Sequence, residues 1–152
     1  MAIALLAPVG EEHLLSGLDV CKREGQVAFG SRAWQLFRHL DEILGGQNCD
    51  CLIYASAAKQ PTNTPVASWR AMYIGHVEGR NGAHPEGMKY RPPTTAKYAK
   101  DNLGHWAVFW HVTDLKQLSL ADQVKISSLR GYGKSRRYLK NFIPEGPLMI
   151  EW

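Results

Sequence analysis

The sequence predicts an α+β fold: a small mixed β-barrel of five to six strands packed with about three short helices, in a single domain over residues 1–152. Three observations carry that expectation. Short apolar runs rich in β-branched and aromatic residues, bounded by Gly, Pro or polar clusters, recur along the chain as strands do. Between some of them, apolar residues fall at three- and four-residue steps, the period of a helix packed on one side. The strand spacings are too irregular for repeated βαβ units, and no GxGxxG or Walker loop is present, which disfavours a doubly wound sheet.

Residues 2–7 form the expected first strand. The opening MAIALLA is apolar but lacks a basic lead-in, and Pro8, Gly10, Glu11 and Glu12 follow at once, so it reads as a strand and not as a signal peptide. From Glu11 to Arg23, Leu14, Leu15, Leu18 and Cys21 lie near helical spacing, and Gly25 is placed to stop the helix. Gln26 to Gly30 is a short second strand. Ser31 is expected to cap a helix carrying Ala33, Leu36, Phe37, Leu40 and Ile43/Leu44, ended by Gly45 and Gly46. Cys49 to Ser56 (CDCLIYAS) is a strand, 57–65 a polar loop with two prolines, and Ala67 to Val77 a long strand. Glu78 to Asn102, punctuated by Gly79, Gly82, Pro85, Gly87, Pro92 and Pro93, is irregular; loops of that length in a domain are usually binding loops or disordered. His105 to Val112 (HWAVFWHV) is an aromatic strand. Ser135 to Phe142 is expected as a short helix with Arg136 and Lys140 on one face and Leu139 and Phe142 inward. After Pro144, Pro147 to Trp152 supplies a closing strand.

The 45% apolar and 21% charged composition is that of an ordinary globular protein. No apolar run approaches the ~20 residues that span a bilayer, so no membrane partner is expected. Cys21, Cys49 and Cys51 form no paired framework, which points to structural thiols in a reducing cytoplasm. The six histidines show no metal-ligand spacing, and CxxC, HExxH, GxSxG and paired-carboxylate signatures are absent. No metal or cofactor is expected, and an enzyme is the less favoured class.

Charge is the informative feature. Lys125 to Lys140 (KISSLRGYGKSRRYLK) holds six of the eighteen cations and none of the fourteen carboxylates, so the rest of the chain has twelve cations against fourteen carboxylates. A basic segment interleaved with tyrosines and small residues suits a phosphate-bearing partner, although an isolated run of this kind is more often a solvated face.

The order of pieces resembles the PUA-like superfamily, closest to its EVE, ASCH and YTH-type members. The likeness rests on a helix launched from Phe29-Gly30-Ser31, the DCLIYAS strand, a strand ending in YIGHV (Tyr73 to Val77), an RPP loop (Arg91 to Pro93), the WAVFWHV strand and the SLRGYG-KSRRYL segment. It covers about residues 2–151, with no single diagnostic motif. The resemblance implies a pseudobarrel whose cleft takes an RNA or DNA strand, with one base, in several members a modified one, entering an aromatic pocket. A few ASCH relatives are hydrolases or nucleases. The long 78–102 loop departs from EVE-type chains.

Aromatic rings hold unstacked bases, so Trp34, Tyr54, Trp69, Tyr73, Trp106, Trp110 and Tyr132 are the candidates, most of which must be core. Ser31, Tyr54, Ser56, Trp69 and Trp110 form the expected base pocket, with Trp69 at a barrel mouth and the serine hydroxyls offered to a base edge or phosphate. Arg130, Lys134, Arg136, Arg137 and Lys140 are expected along the phosphates. In the long loop, Tyr90 and Arg91, with Lys89, Lys97, Tyr98 and Lys100, form a second basic-aromatic cluster suited to a lid or arm. Strand alternation puts Trp106, Val108, Trp110 and Val112 on one face and Phe109 and His111 on the other. The leading expectation is a nucleic-acid-binding module. The alternatives are a small ASCH-type hydrolase or ribonuclease in the same cleft, assembled from His76, Tyr98, Lys134 or Arg137, and a protein-interaction domain meeting an acidic partner.

Overall fold

The first strand, β1 (Ile3–Gly10), is apolar at nearly every position because both of its faces are covered. Leu5, Ala7 and Val9 enter the larger core, while Ala4 and Leu6 enter a second one. A computed structural model describes residues 2–58 and 64–152; part of the expected 57–65 loop thus lies outside the described residues. After β1 come α1 (Glu11–Glu24), β2 (Val27–Ser31), α2 (Trp34–Leu44), β3 (Cys49–Ser56), β4 (Val66–Ala67), β5 (Trp69–Glu78), β6 (Val108–Gln117), β7 (Val124–Lys125), β8 (Arg130–Gly131) and β9 (Leu148–Glu151). Seven strands form one mixed sheet in the order β2-β6-β5-β3-β1-β9-β8, and β4 pairs with β7. Among the described residues of this sheet, β1 and β3 pair parallel and the other neighbours pair antiparallel.

The fold is α+β, as the sequence predicts, with corrections in detail. The sheet is not a closed barrel, since its end strands β2 and β8 do not pair with each other. It is nevertheless curled. Strands β1 and β2 stand four places apart in the order, yet Ala7, Pro8, Gly30 and Ser31 line one cavity. Inward residues of β1, β2, β3, β5 and β6 meet Leu14 and Val20 of α1 and Phe37 and Leu40 of α2 in the larger core. Among the described residues there are two α-helices rather than three, beside short 3-10 turns at Pro93–Lys97, Leu120–Asp122 and Ile126–Ser128.

The missing helix is Ser135 to Phe142. Gly133, with φ of 75°, turns the chain back, and the Tyr138 N–H donates to Leu129 O at 3.0 Å while Arg137 bridges Arg130. The segment is therefore held at the β8 edge by one bridge at Arg137, between a bend at Ser135–Arg136 and a turn at Lys140–Asn141. Leu139, expected inward, is 76% exposed, and Phe142 stacks on Tyr138 with ring centres 4.6 Å apart. Strand β6 runs five residues past the expected end, because Lys116 and Gln117 pair with Arg70 and Trp69 of β5. Its polar tail shows only one buried side chain, Leu115, which hides the strand from an alternation test. Helix α1 ends as expected at Gly25, with φ of 77°. No helix among the described residues is long and apolar enough to cross a membrane.

Candidate functional site

A cavity of about 310 Å³ opens where the curled sheet fails to close. Its walls are Ala7 and Pro8 of β1, Gly30 to Ala33 at the β2–α2 turn, Trp106 and Trp110, and the Glu145–Pro147 turn before β9. Trp110 is only 2% exposed and forms the floor, stacked on Phe37 and tilted against Phe29 with ring centres 6.1 and 5.0 Å away. Trp106 is half-buried and stands directly over Gly30, where a Cβ would fall 2.4 Å from the indole. Any larger residue at position 30 therefore displaces the ring. Ser31 does not cap α2, which starts three residues later behind Ala33. It stays in β2 because its carbonyl accepts the Ala107 N–H at 3.0 Å and its register partner is Val108. Its Oγ accepts the Ala33 N–H at 3.1 Å, so its hydroxyl proton remains free to be donated into the cavity.

Trp106 is held by the long loop. Its Nε1–H donates to Asp101 Oδ1 at 3.0 Å, and the same oxygen lies 3.6 Å from Nη2 of Arg91. Arg91, expected in a basic-aromatic lid or arm, is 2% exposed. Its guanidinium donates to Asn102 Oδ1, Ala28 O and Asp101 O at 2.8, 2.8 and 3.0 Å. Burial pulls its pKa down to about 10, with Asp101 opposing, so it stays charged at neutral pH. The loop is thus pinned to the domain and is not a free arm. Thr94 bonds to His13 and Ser16 of α1, Tyr98 and Lys97 meet Glu12, and the Tyr90 carbonyl accepts the Ala28 N–H at 2.8 Å.

Of the expected base pocket, Ser31 and Trp110 come together and three residues do not. Trp69 is 0% exposed, inside the larger core opposite Ile53, because the β5 register turns it inward rather than to a rim. Tyr54 alternates with Ile53 and so enters the second core on the opposite face of β3. Ser56 ends β3 opposite Gly10 and does not line this cavity. Arg32 and Asp101 are the site residues missed by sequence reasoning, and Trp106, one of the candidate rings, was not placed in the expected pocket. The available signal was the shared face of Trp106 and Trp110 in HWAVFW, beside a glycine on the strand that pairs with it.

None of the expected phosphate-binding cations lines the cavity. Lys134, Arg136, Arg137 and Lys140 are exposed along the β8 edge, and Arg130 pairs with Glu151 at 2.8 Å. A larger hollow of about 650 Å³ beside Leu139, Asn141, Phe142 and Ile143 shares Glu145, Gly146 and Pro147 with the cavity. On its other side, a third hollow of about 570 Å³ shares Arg32 and Trp106 with it. The cavity thus shares one wall with each of these two hollows. His76, Tyr98, Lys134 and Arg137 are not gathered in it: His76 lines a separate cavity, Tyr98 sits on α1 and the two cations stand on the β8 edge. Cys49 and Cys51 are buried, and burial pushes the Cys49 thiol up to about 12, which leaves it unreactive. Among the described residues no group of three or more His, Cys, Asp or Glu could hold a metal ion.

On the outer face of β6, His84 and His111 form a buried relay. The Glu86 N–H donates to His84 Nδ1 at 3.0 Å, which leaves the His84 proton on Nε2, donated to His111 Nε2 at 2.9 Å. His111 then donates from Nδ1 to Gln26 Oε1 at 2.7 Å. An added proton has no acceptor in this chain. Burial lowers the affinity of both rings for protons, with Arg91 adding to it, and His111 falls to about 4. Unfolding therefore takes up protons between the ordinary value of 6.5 and about 4. Stability is complete above that window and declines as pH falls through it. Melting temperature is expected to drop from pH 7 to pH 5, and the drop should shrink in His111→Gln; an unchanged drop would remove the relay as its cause.

No protein-family model matches the chain, and no curated protein matches its sequence at a significant level.

Proposed function

We propose that this chain is a nucleic-acid-binding module with a PUA-like pseudobarrel, taking one base of RNA or DNA, plain or modified, into the cavity between Trp106, Trp110 and Ser31. The observation that carries the reading is that cavity: two tryptophans and a serine hydroxyl at the gap of a curled sheet, sharing the Glu145–Pro147 wall with a hollow beside Leu139 to Ile143. Its volume lies at the small end of ligand sites, about 300–1,000 Å³, which suits a single base. Rings supply sequence-tolerant stacking, the Ser31 hydroxyl can donate to a base acceptor, and the exposed cations Lys134, Arg136, Arg137 and Lys140 are available to phosphates outside the cavity.

The test is binding of short single-stranded RNA and DNA oligonucleotides across a salt series. Log affinity is expected to fall linearly with log salt, with a slope of about −0.7 per neutralised phosphate. Lys134→Ala and Arg137→Ala should each shallow that slope by roughly one contact and weaken all sequences alike. Time-dependent loss of intact RNA would favour a hydrolase instead. Absence of binding even at low salt would sink the reading and favour an acidic protein partner.

A further inference from the structure

The base cavity shares Arg32 and Trp106 with a neighbouring hollow. Beyond the Trp106 wall lies the third hollow, lined by Arg32, Trp34, His105 and Trp106 together with backbone of the Asn81–Gly82 and Gly104 turns. Trp34 is the first residue of α2 and is 44% exposed, an unusual position for so large an apolar ring. The Arg38 guanidinium lies over one face of its indole, 5.1 Å from the ring centre. That contact orients the ring and adds positive charge to it. His105 meets Trp106 edge-on with ring centres 4.2 Å apart, so the hollow has aromatic surface on two sides and Arg32 between it and the base cavity. None of these groups has a structural task that requires its exposure.

A flat aromatic ring beside an exposed guanidinium, in a hollow that shares a wall with a base-sized cavity, has the composition of a stacking site for a nucleotide. We infer that Trp34, with Arg32, Arg38 and His105, is a second platform that stacks the nucleotide adjacent to the one held between Trp106 and Trp110. The inference rests on the function proposed above and deepens it: the ligand is a single strand of at least two nucleotides, not a free nucleoside or nucleotide. Arg32, lining both hollows, is then placed to meet the phosphate that joins the two residues.

The experiment compares nucleoside 5′-monophosphates with five-residue oligonucleotides of the same bases, RNA and DNA, against the intact chain and its variants. Trp34→Ala is expected to weaken oligonucleotide binding by about 5- to 150-fold, the range for one stacked base. It should leave monophosphate binding unchanged. Trp34→Phe should recover part of the loss, because a ring is restored without the indole. The exposed position makes folding of these variants checkable by an unchanged melting temperature. If Trp34→Ala leaves oligonucleotide affinity intact while Trp106→Ala lowers it, the second platform is wrong and the base cavity stands. If monophosphates bind as tightly as oligonucleotides, the two-nucleotide ligand is overturned. If wild-type protein binds neither, the cavity reading fails and the platform with it.

Discussion

Trp106→Ala is expected to weaken binding of a short single strand by about 5- to 150-fold, the equivalent of about 1–3 kcal/mol for one stacked base. The ring stands over Gly30 as one wall of the cavity, and its indole N–H is already committed to Asp101. It is half-buried rather than core, so the variant should fold, and its salt slope should match wild type because no phosphate contact is removed. Asp101→Asn provides the finer probe. The carboxylate orients Trp106 but lines no part of the cavity, and it also faces buried Arg91, so a loss of affinity at an unchanged melting temperature would pass through the ring. Fluorescence titration and a salt series on the same samples check both. Unchanged affinity in Trp106→Ala would move the base away from this cavity.

Trp69→Ala should act on stability instead. The side chain is wholly buried among residues of the larger core, and its truncation is expected to cost about 3–5 kcal/mol. For a domain of this size that lowers the melting temperature by roughly 10 °C or more. Its Nε1–H is the one buried side-chain nitrogen or oxygen among the described residues without a partner. Trp69→Phe removes that orphaned donor while keeping most of the apolar volume, so it should recover much of the loss. Thermal melts of the two variants settle the matter. A Trp69→Ala protein that melts like wild type but binds poorly would return the ring to a binding surface.

How far the chain could be read in advance follows from where each signal is local. The helix over Glu11–Glu24 and the strand Cys49–Ser56 were legible because period and terminator agree within each segment. The alternation in HWAVFWHV correctly separated Val108, Trp110 and Val112 from Phe109 and His111. Tyr54 and Trp69 were misplaced because adjacency in sequence does not say which of two cores a strand face meets. With apolar residues on both sides of β3, only the neighbouring strands decide it. Arg91 was misread for a related reason: a cation in a long loop is normally solvated, and its three acceptors come from Ala28, Asp101 and Asn102, two of them next to Trp106 only once the loop is folded. The Ser135–Phe142 segment has a helix-like pattern, but hydrogen bonding to Leu129 overrides it.

The pairing of Ile3 with Glu151 sets the order in which this molecule can be assembled. During synthesis β1 can dock on β3 once the chain through Ser56 has emerged, but its other flank waits for Leu148 to Glu151. Until then an apolar strand edge is open to intermolecular pairing, and closure spans nearly the whole chain, a separation that slows folding.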